Sequence, residues 1–274
     1  MVRELTLEQL VTQAKEGDKA ALEALVCRVQ DQIYNLALRM LWRHDDAEDA
    51  TQEILIKVIT HLSQFRQEST FTTWVYRVAS NHLLTTRKRF AEQKELTLEA
   101  IREQLEDGTL FLGNAPEMVE DVLLVKEIQT RCTMGMLLCL DREQRLAYIL
   151  GEGFEVSSEE GAHIMEVTPA TFRKRLSRAR LRLRAFMEEK CGLVNPTLTC
   201  RCTHLVPHKK YEGTHSTETQ VHSYSQQIEI ALQEFTTLGR MAFVFRTHPQ
   251  YSAPNTMIEA IKHLLSSHKF SIFK

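Results

Sequence analysis

Residues 166–186 read EVTPATFRKRLSRARLRLRAF, and the architecture follows from them outward. Phe172, Leu176, Ala179, Leu183 and Phe186 recur at spacings of four, three, four and three, the repeat of a helix with one apolar stripe. Seven basic residues, Arg173, Lys174, Arg175, Arg178, Arg180, Arg182 and Arg184, occupy the rest, and no acid falls between Val167 and Met187. At about 100° per residue, Ala170, Lys174 and Arg178 point away from the stripe. One face of this helix packs, and the other meets a polyanion. The chain as a whole is slightly acidic, with a net charge of −2, so the basic charge is concentrated here.

The segment just before it completes a pattern. Ser157 or Ser158 caps a short helix, Ser158–Met165, and a tight turn, Glu166-Val167-Thr168, follows. Thr168 suits the N-cap and Pro169 the first helical position. Short helix, turn and basic helix make a helix-turn-helix, whose second helix enters the major groove N-terminus first. Ala170, Thr171, Arg173 and Lys174 then face base edges, with Arg175, Arg178 and Arg180 nearer phosphates, and Thr168 at the cap belongs to the same DNA-facing set. A merely solvated basic helix would leave the absence of acids and the cap-proline start without a reason.

With 274 residues, 43% hydrophobic and 26% charged, the chain has the composition of a soluble protein of two or three domains. No run nears the roughly 18 apolar residues of a membrane span. The start, MVRELTLEQLVTQ, carries no signal peptide, so the expected location is the cytoplasm, where thiols stay reduced. Cys27, Cys132 and Cys139 lie singly in apolar surroundings and read as small buried hydrophobes. No paired catalytic carboxylates, phosphate loop or nucleophile elbow appears, and no enzymatic activity is expected.

In a first domain, residues 1–89, positions 5–89 read as nearly continuous helix with a break at Glu16-Gly17-Asp18. Asp45 or Asp46 is the expected N-cap of a helix to Leu62 with an acidic first turn. Its stripe is Ala47, Ala50, Ile54, Val58 and Leu62. Next comes FRQESTFTTWVYRVASNHLLTTRKR, residues 65–89, which interleaves Phe71, Trp74, Tyr76, Arg77 and Asn81 with a closing basic triplet. Stacking platforms beside cations are the chemistry of single-stranded nucleic-acid binding, although Trp74 also fits the core stripe. Residues 90–120 form an acidic linker with one helix around Leu98–Leu105. A second helical block runs from residue 121 to 187, broken at Gly151-Glu152-Gly153. In the extension, residues 188–274, Ile228–Leu238 and Met257–Leu265 read as helices, and Met241–Phe245 and Phe270–Phe273 as short strands. The class is all-α, two helical domains on a linker, with a small mixed α/β or irregular C-terminal extension.

Three segments in this order, DAEDATQEILIKVITHL, FRQESTFTTWVYRVASNHLLTTRKR and a block closing on TFRKRLSRARLRLR, resemble bacterial RNA polymerase sigma factors of the extracytoplasmic-function type. The resemblance covers about residues 18–187. It implies that Asp46, Asp49, Gln52, Glu53 and Ile56 dock on core RNA polymerase. It implies that Ser69, Thr70, Phe71, Trp74, Arg77, Asn81, Arg87 and Arg89 hold the opened −10 element of promoter DNA, and that the basic helix reads the −35 element. An anti-sigma factor is a further partner that the resemblance admits. Where the family often has an Asp four residues beyond the matched Asn, this chain has Thr85.

The extension holds Cys191, Cys200, Cys202, His204 and His208 within eighteen residues. Candidate zinc ligands are Cys191, Cys200, Cys202 and His204, although the spacing is not that of a standard finger. A redox-sensing thiol group and a structural loop are the alternatives. Two other functions stand beside promoter recognition: a helix-turn-helix regulator acting without polymerase, and a metal or redox sensor working through this extension. The extension itself is expected to be regulatory.

Overall fold

The structure is a computed structural model of the chain, and it describes residues 5–86, 96–106, 121–200, 202, 237–254 and 259. Among them all regular structure is helical. In chain order the helices are α1 (Leu7–Lys15), α2 (Lys19–Leu41), α3 (His44–Thr60), α4 (Phe71–Thr85), α5 (Leu98–Glu106), α6 (Asp121–Leu138), α7 (Arg142–Tyr148), α8 (Ser158–Ile164), α9 (Pro169–Lys190) and α10 (Thr237–Arg246). Two compact units result. One comprises Met1–Gln93, Val156–Arg173 and Gln250–Lys274, the other Lys94–Glu155 and Lys174–Pro249.

In the first unit, α1 begins with a reciprocal capping box between Thr6 and Gln9. The break at Gly17 is confirmed by its φ of 98°, and Asp18 caps α2 by accepting from the Ala20 and Ala21 N–H groups. Leu22, Leu25, Val29, Ile33 and Leu36 of α2 are buried with Ala47, Ala50, Ile54 and Val58 of α3, as the stripes predict. The start of α3 differs from expectation. Its N-cap is Arg43, without a side-chain cap bond, so Asp45 and Asp46 fall inside the first turn. There they oppose the helix dipole's positive end. The first residue is instead held from outside, by the Tyr34 hydroxyl at 2.8 Å from His44 Nδ1.

Phe65, Phe71 and Trp74 form an aromatic cluster, with ring centroids 5.4 to 5.7 Å apart. Thr70 caps α4 by accepting from the Thr73 N–H at 3.1 Å.

In the second unit, the predicted break at residues 151–153 is instead a π-helical turn, Ile149–Gly153, which continues α7. A Cβ on Gly151 would stand 2.7 Å from Leu176 Cδ2, so the small residue lets this turn approach the apolar stripe of α9. The expected strand Met241–Phe245 is also corrected: it lies within α10. Met241, Val244 and Phe245 are buried there at helical spacing, and a short apolar aromatic run does not distinguish the two periods. The Leu98–Leu105 helix is present as α5. The expected elements at Met257–Leu265 and Phe270–Phe273, and nearly all of Ile228–Leu238, lie outside the described residues.

Candidate nucleic-acid interface

The basic helix has the two faces read from its sequence. Phe172, Leu176, Ala179, Leu183 and Phe186 are buried, while Ala170, Arg173, Lys174 and Arg178 are exposed. Thr168 caps α9, accepting from the Thr171 N–H at 3.2 Å. The turn before it depends on Glu166 at φ 51° and on the Val167 N–H donating to the Ala162 carbonyl at 3.0 Å. Gly161 of α8 faces Phe172 so closely that an added Cβ would come within 2.4 Å of the ring. Glycine here sets the close crossing of α8 over the first turn of α9.

The seven cations are not equivalent. Arg175 pairs with Glu143 at 2.6 Å, Arg184 with Glu188 at 2.9 Å, and Arg173 lies 3.8 Å from Glu159. Arg180, expected near phosphate, instead donates through Nε to Glu152 Oε1 at 2.6 Å, with a second, closer contact from its Nη2. Glu152 has a side chain only 10% exposed. It also faces Arg246, whose Nε donates to the Glu152 carbonyl at 2.9 Å and whose Nη1 meets Glu155 at 2.9 Å. Arg180 therefore serves chiefly to neutralise a covered acid. Sequence reading missed Glu152, flagged only as the middle of a glycine-flanked break. Among the described residues Lys174 and Arg178 have no carboxylate partner, and these two present charge outward.

On α4 the residues assigned to the opened strand divide as well. Phe71 is 0% and Trp74 5% exposed, so both fill the bundle interior and neither offers a stacking surface; that assignment is corrected. Ser69, Thr70, Arg77 and Asn81 remain at least partly exposed. Two of this helix's polar groups are engaged by the helix-turn-helix. Thr73 Oγ1 donates to Glu160 Oε1 at 2.6 Å, and the Asn81 amide donates to Glu166 Oε2 at 2.9 Å. Thr85 donates to the Asn81 carbonyl at 2.6 Å, a bond within the helix. Arg87 and Arg89 lie outside the described residues.

Beneath this face Tyr76 is shielded, and burial pushes its hydroxyl up to about 12, with Arg39 opposing and Glu160 adding to the rise. On α3, Asp46, Gln52 and Ile56 are partly exposed, and Asp49 and Glu53 exposed. His82 of α4, itself buried, lies 3.6 Å from Glu53 and 2.9 Å from the Lys57 ammonium. It fixes the middle of that face, a role no motif signalled.

Of the three cysteines expected to lie singly and buried, Cys139 is as expected and Cys27 and Cys132 differ. Cys27 is exposed; Cys139 is buried, and burial pushes its thiol up to about 12. Cys132 is not isolated. Burial raises its thiol well above the ordinary value, and Cys191, Cys202 and Cys200 add to the rise. The Gly192 N–H donates to the Cys200 carbonyl at 3.0 Å and closes the loop after α9. Among the described residues no group of three or more His, Cys, Asp or Glu is arranged to hold a metal ion. His204 lies outside the described residues.

Two family models match this chain: Sigma-70 region 2 over residues 25–91, and Sigma-70, region 4 over residues 130–183. They coincide with the bundle carrying α3 and α4 and with the helix-turn-helix. The fold and its basic recognition helix thus define a sigma factor of RNA polymerase. Among curated proteins, the chain is 33% identical over 181 residues to the RNA polymerase sigma-H factor of Pseudomonas aeruginosa, covering 63% of this chain and 89% of that one. It is 32% identical over 183 residues to the ECF RNA polymerase sigma-E factor of Haemophilus influenzae, covering 66% and 94%. With the sigma-E factor of Escherichia coli it shares 32% over 186 residues, covering 66% and 93%. The chain belongs to the sigma-70 family, within its extracytoplasmic-function group. A solved sigma factor RpoE from Bartonella quintana, in complex with the anti-sigma factor NepR, aligns with a TM-score of 0.38 and 23% identity over 58% of this chain and 92% of that one. No described helix is long and apolar enough to cross a membrane.

Proposed function

We propose that this chain directs core RNA polymerase to promoters through three surfaces. The α3 face around Asp46, Asp49, Gln52, Glu53 and Ile56 docks on polymerase. Ser69, Thr70, Arg77 and Asn81, at and along α4, hold the opened −10 strand. The N-terminal half of α9 lies in the major groove at −35, where Ala170, Thr171, Arg173 and Lys174 meet base edges and Arg178 meets phosphate. Sigma factors are in general not enzymes, and the proposal gives this chain no catalytic step of its own. Its place of action would be the cytoplasm, with polymerase and promoter DNA.

The observation that supports this reading best is the division of α9, whose apolar stripe is buried while Lys174 and Arg178 stand exposed and, among the described residues, without a carboxylate. A regulator acting without polymerase would need only this helix. It would give no reason for the acidic α3 face. The test is co-purification of the chain with core polymerase. A chain that binds promoter duplex yet never associates with polymerase would favour the regulator instead.

A further inference from the structure

The extension sends a short peptide onto the first bundle, and its contacts are those of a bound ligand. Residues 250–254, QYSAP, lie against α2 in irregular backbone. The Asn35 side chain pairs with Tyr251 in both directions. Its amide donates to the Tyr251 carbonyl at 2.7 Å, and its oxygen accepts from the Tyr251 N–H at 3.0 Å. One turn earlier, Asp31 accepts from the Ala253 N–H at 2.8 Å. Ala253 is 5% exposed and Asn35 4%. An amide placed to satisfy both backbone groups of one residue recognises extended main chain, as a neighbouring strand would. Pro254 and Pro249 bracket the segment and restrict its backbone before docking, which lowers the entropy cost of binding.

The Tyr251 side chain reaches where α2 meets the neighbouring helices. Its ring stands edge-on to His44 with centroids 5.5 Å apart, and His44 is the first residue of α3. The Tyr34 hydroxyl, bonded to His44, is raised by burial first and then by Glu48, Tyr251 and Asp45, so all three lie around it. Tyr251 also acts, with Tyr76, on the buried Arg39 guanidinium. On α3, the docking residues Asp46, Asp49, Gln52, Glu53 and Ile56 recur at three, three, one and three, and so descend one face. Tyr251 touches His44, the N-terminal end of the helix that carries that face.

We infer that residues 250–254 are an intramolecular ligand of the α2–α3 corner, and that core polymerase and this peptide compete for the N-terminal end of α3. The inference rests on the reading of α3 as the polymerase-docking face. The extension thereby lowers the apparent affinity for polymerase by the fraction of molecules in which the peptide is seated. Polymerase binding, in turn, unseats it, since coupling is reciprocal.

Two measurements on the full chain test this. In hydrogen–deuterium exchange, a peptide spanning residues 251–253 should exchange more slowly in the unmodified chain than in Asp31→Ala or Tyr251→Ala, and adding core polymerase should speed it. In a binding titration, Tyr251→Ala should bind core polymerase about fivefold tighter or more. Equal exchange in the unmodified and variant chains overturns the seated peptide. Slow exchange with unchanged polymerase affinity overturns the competition. A chain that binds no polymerase in either form overturns the competition through the reading of α3, while the exchange result still reports on the peptide alone. Asp31 lies near the surface of α2, so Asp31→Ala provides a folded control should Tyr251→Ala destabilise the corner.

Discussion

The Asn81 side-chain amide, assigned to the opened −10 strand, donates to Glu166 Oε2 at 2.9 Å. Glu166 belongs to the turn of the helix-turn-helix, so one DNA-reading element holds the polar group of another. An exposed bond of this kind contributes about 1 kcal/mol at most. Glu166→Ala should therefore raise the free chain's affinity for a single-stranded −10 oligonucleotide by up to about fivefold, read by fluorescence anisotropy. Unchanged affinity would mean that Asn81 does not contact that strand.

Arg178 and Arg180 are two residues apart and should behave differently. Arg178→Ala removes an outward charge and should reduce the salt slope of promoter binding by about one. Arg180→Ala leaves Glu152 short of a partner and should cost about 1–2 kcal/mol of stability in urea unfolding, discounted because Arg180 is half exposed. Its salt slope should be nearly unchanged. Lys174→Ala should alter which −35 sequence is preferred, since a lysine at a base edge discriminates and one at a phosphate does not.

Trp74 is interior. Trp74→Ala should destabilise the first bundle by about 3–5 kcal/mol, and Trp74→Phe by much less. Chemical denaturation of the two variants checks this. If Trp74→Ala were as stable as the parent while losing −10 binding, the stacking role would be restored.

Alkaline pH should unfold the protein in a defined window. The Cys139 thiol, ordinarily 9.0, and the Tyr76 hydroxyl, ordinarily 10.0, are each pushed up to about 12 by burial. Below pH 9 both are protonated folded and unfolded, so their contribution is fully present. As pH rises from 9 toward 12 the unfolded chain loses these protons first, and stability falls by up to about 1.4 kcal/mol per pH unit for each group. Cys132, raised by burial from the same ordinary value, acts over the same range. Cys139→Ala should therefore make the loss above pH 9 shallower without moving its onset, and pH-dependent thermal unfolding checks this.

What the sequence revealed was what depends on local spacing. The stripe from Phe172 to Phe186 and the Thr168 cap are set within a few residues of themselves, and both were legible. The start of α3 was not: the helix begins after Arg43, ahead of Asp45 and Asp46, and its first side chain is held by Tyr34 from ten residues away. The role of Arg180 was misread, and that of Trp74 left between core and stacking, for a related reason: charge and aromaticity show in a sequence, but the packing of Glu152 and Phe65 beside them does not. The pairing of Asn35 with Tyr251, 216 positions apart, left no local trace at all.

Run-off transcription tests the central claim most directly, with purified chain, core polymerase and a pool of genomic fragments. Discrete transcripts that require the chain, start at defined positions and are lost with Lys174→Ala or Asn81→Ala are the expected result. Polymerase that initiates no differently with the chain present, on every fragment, would contradict it.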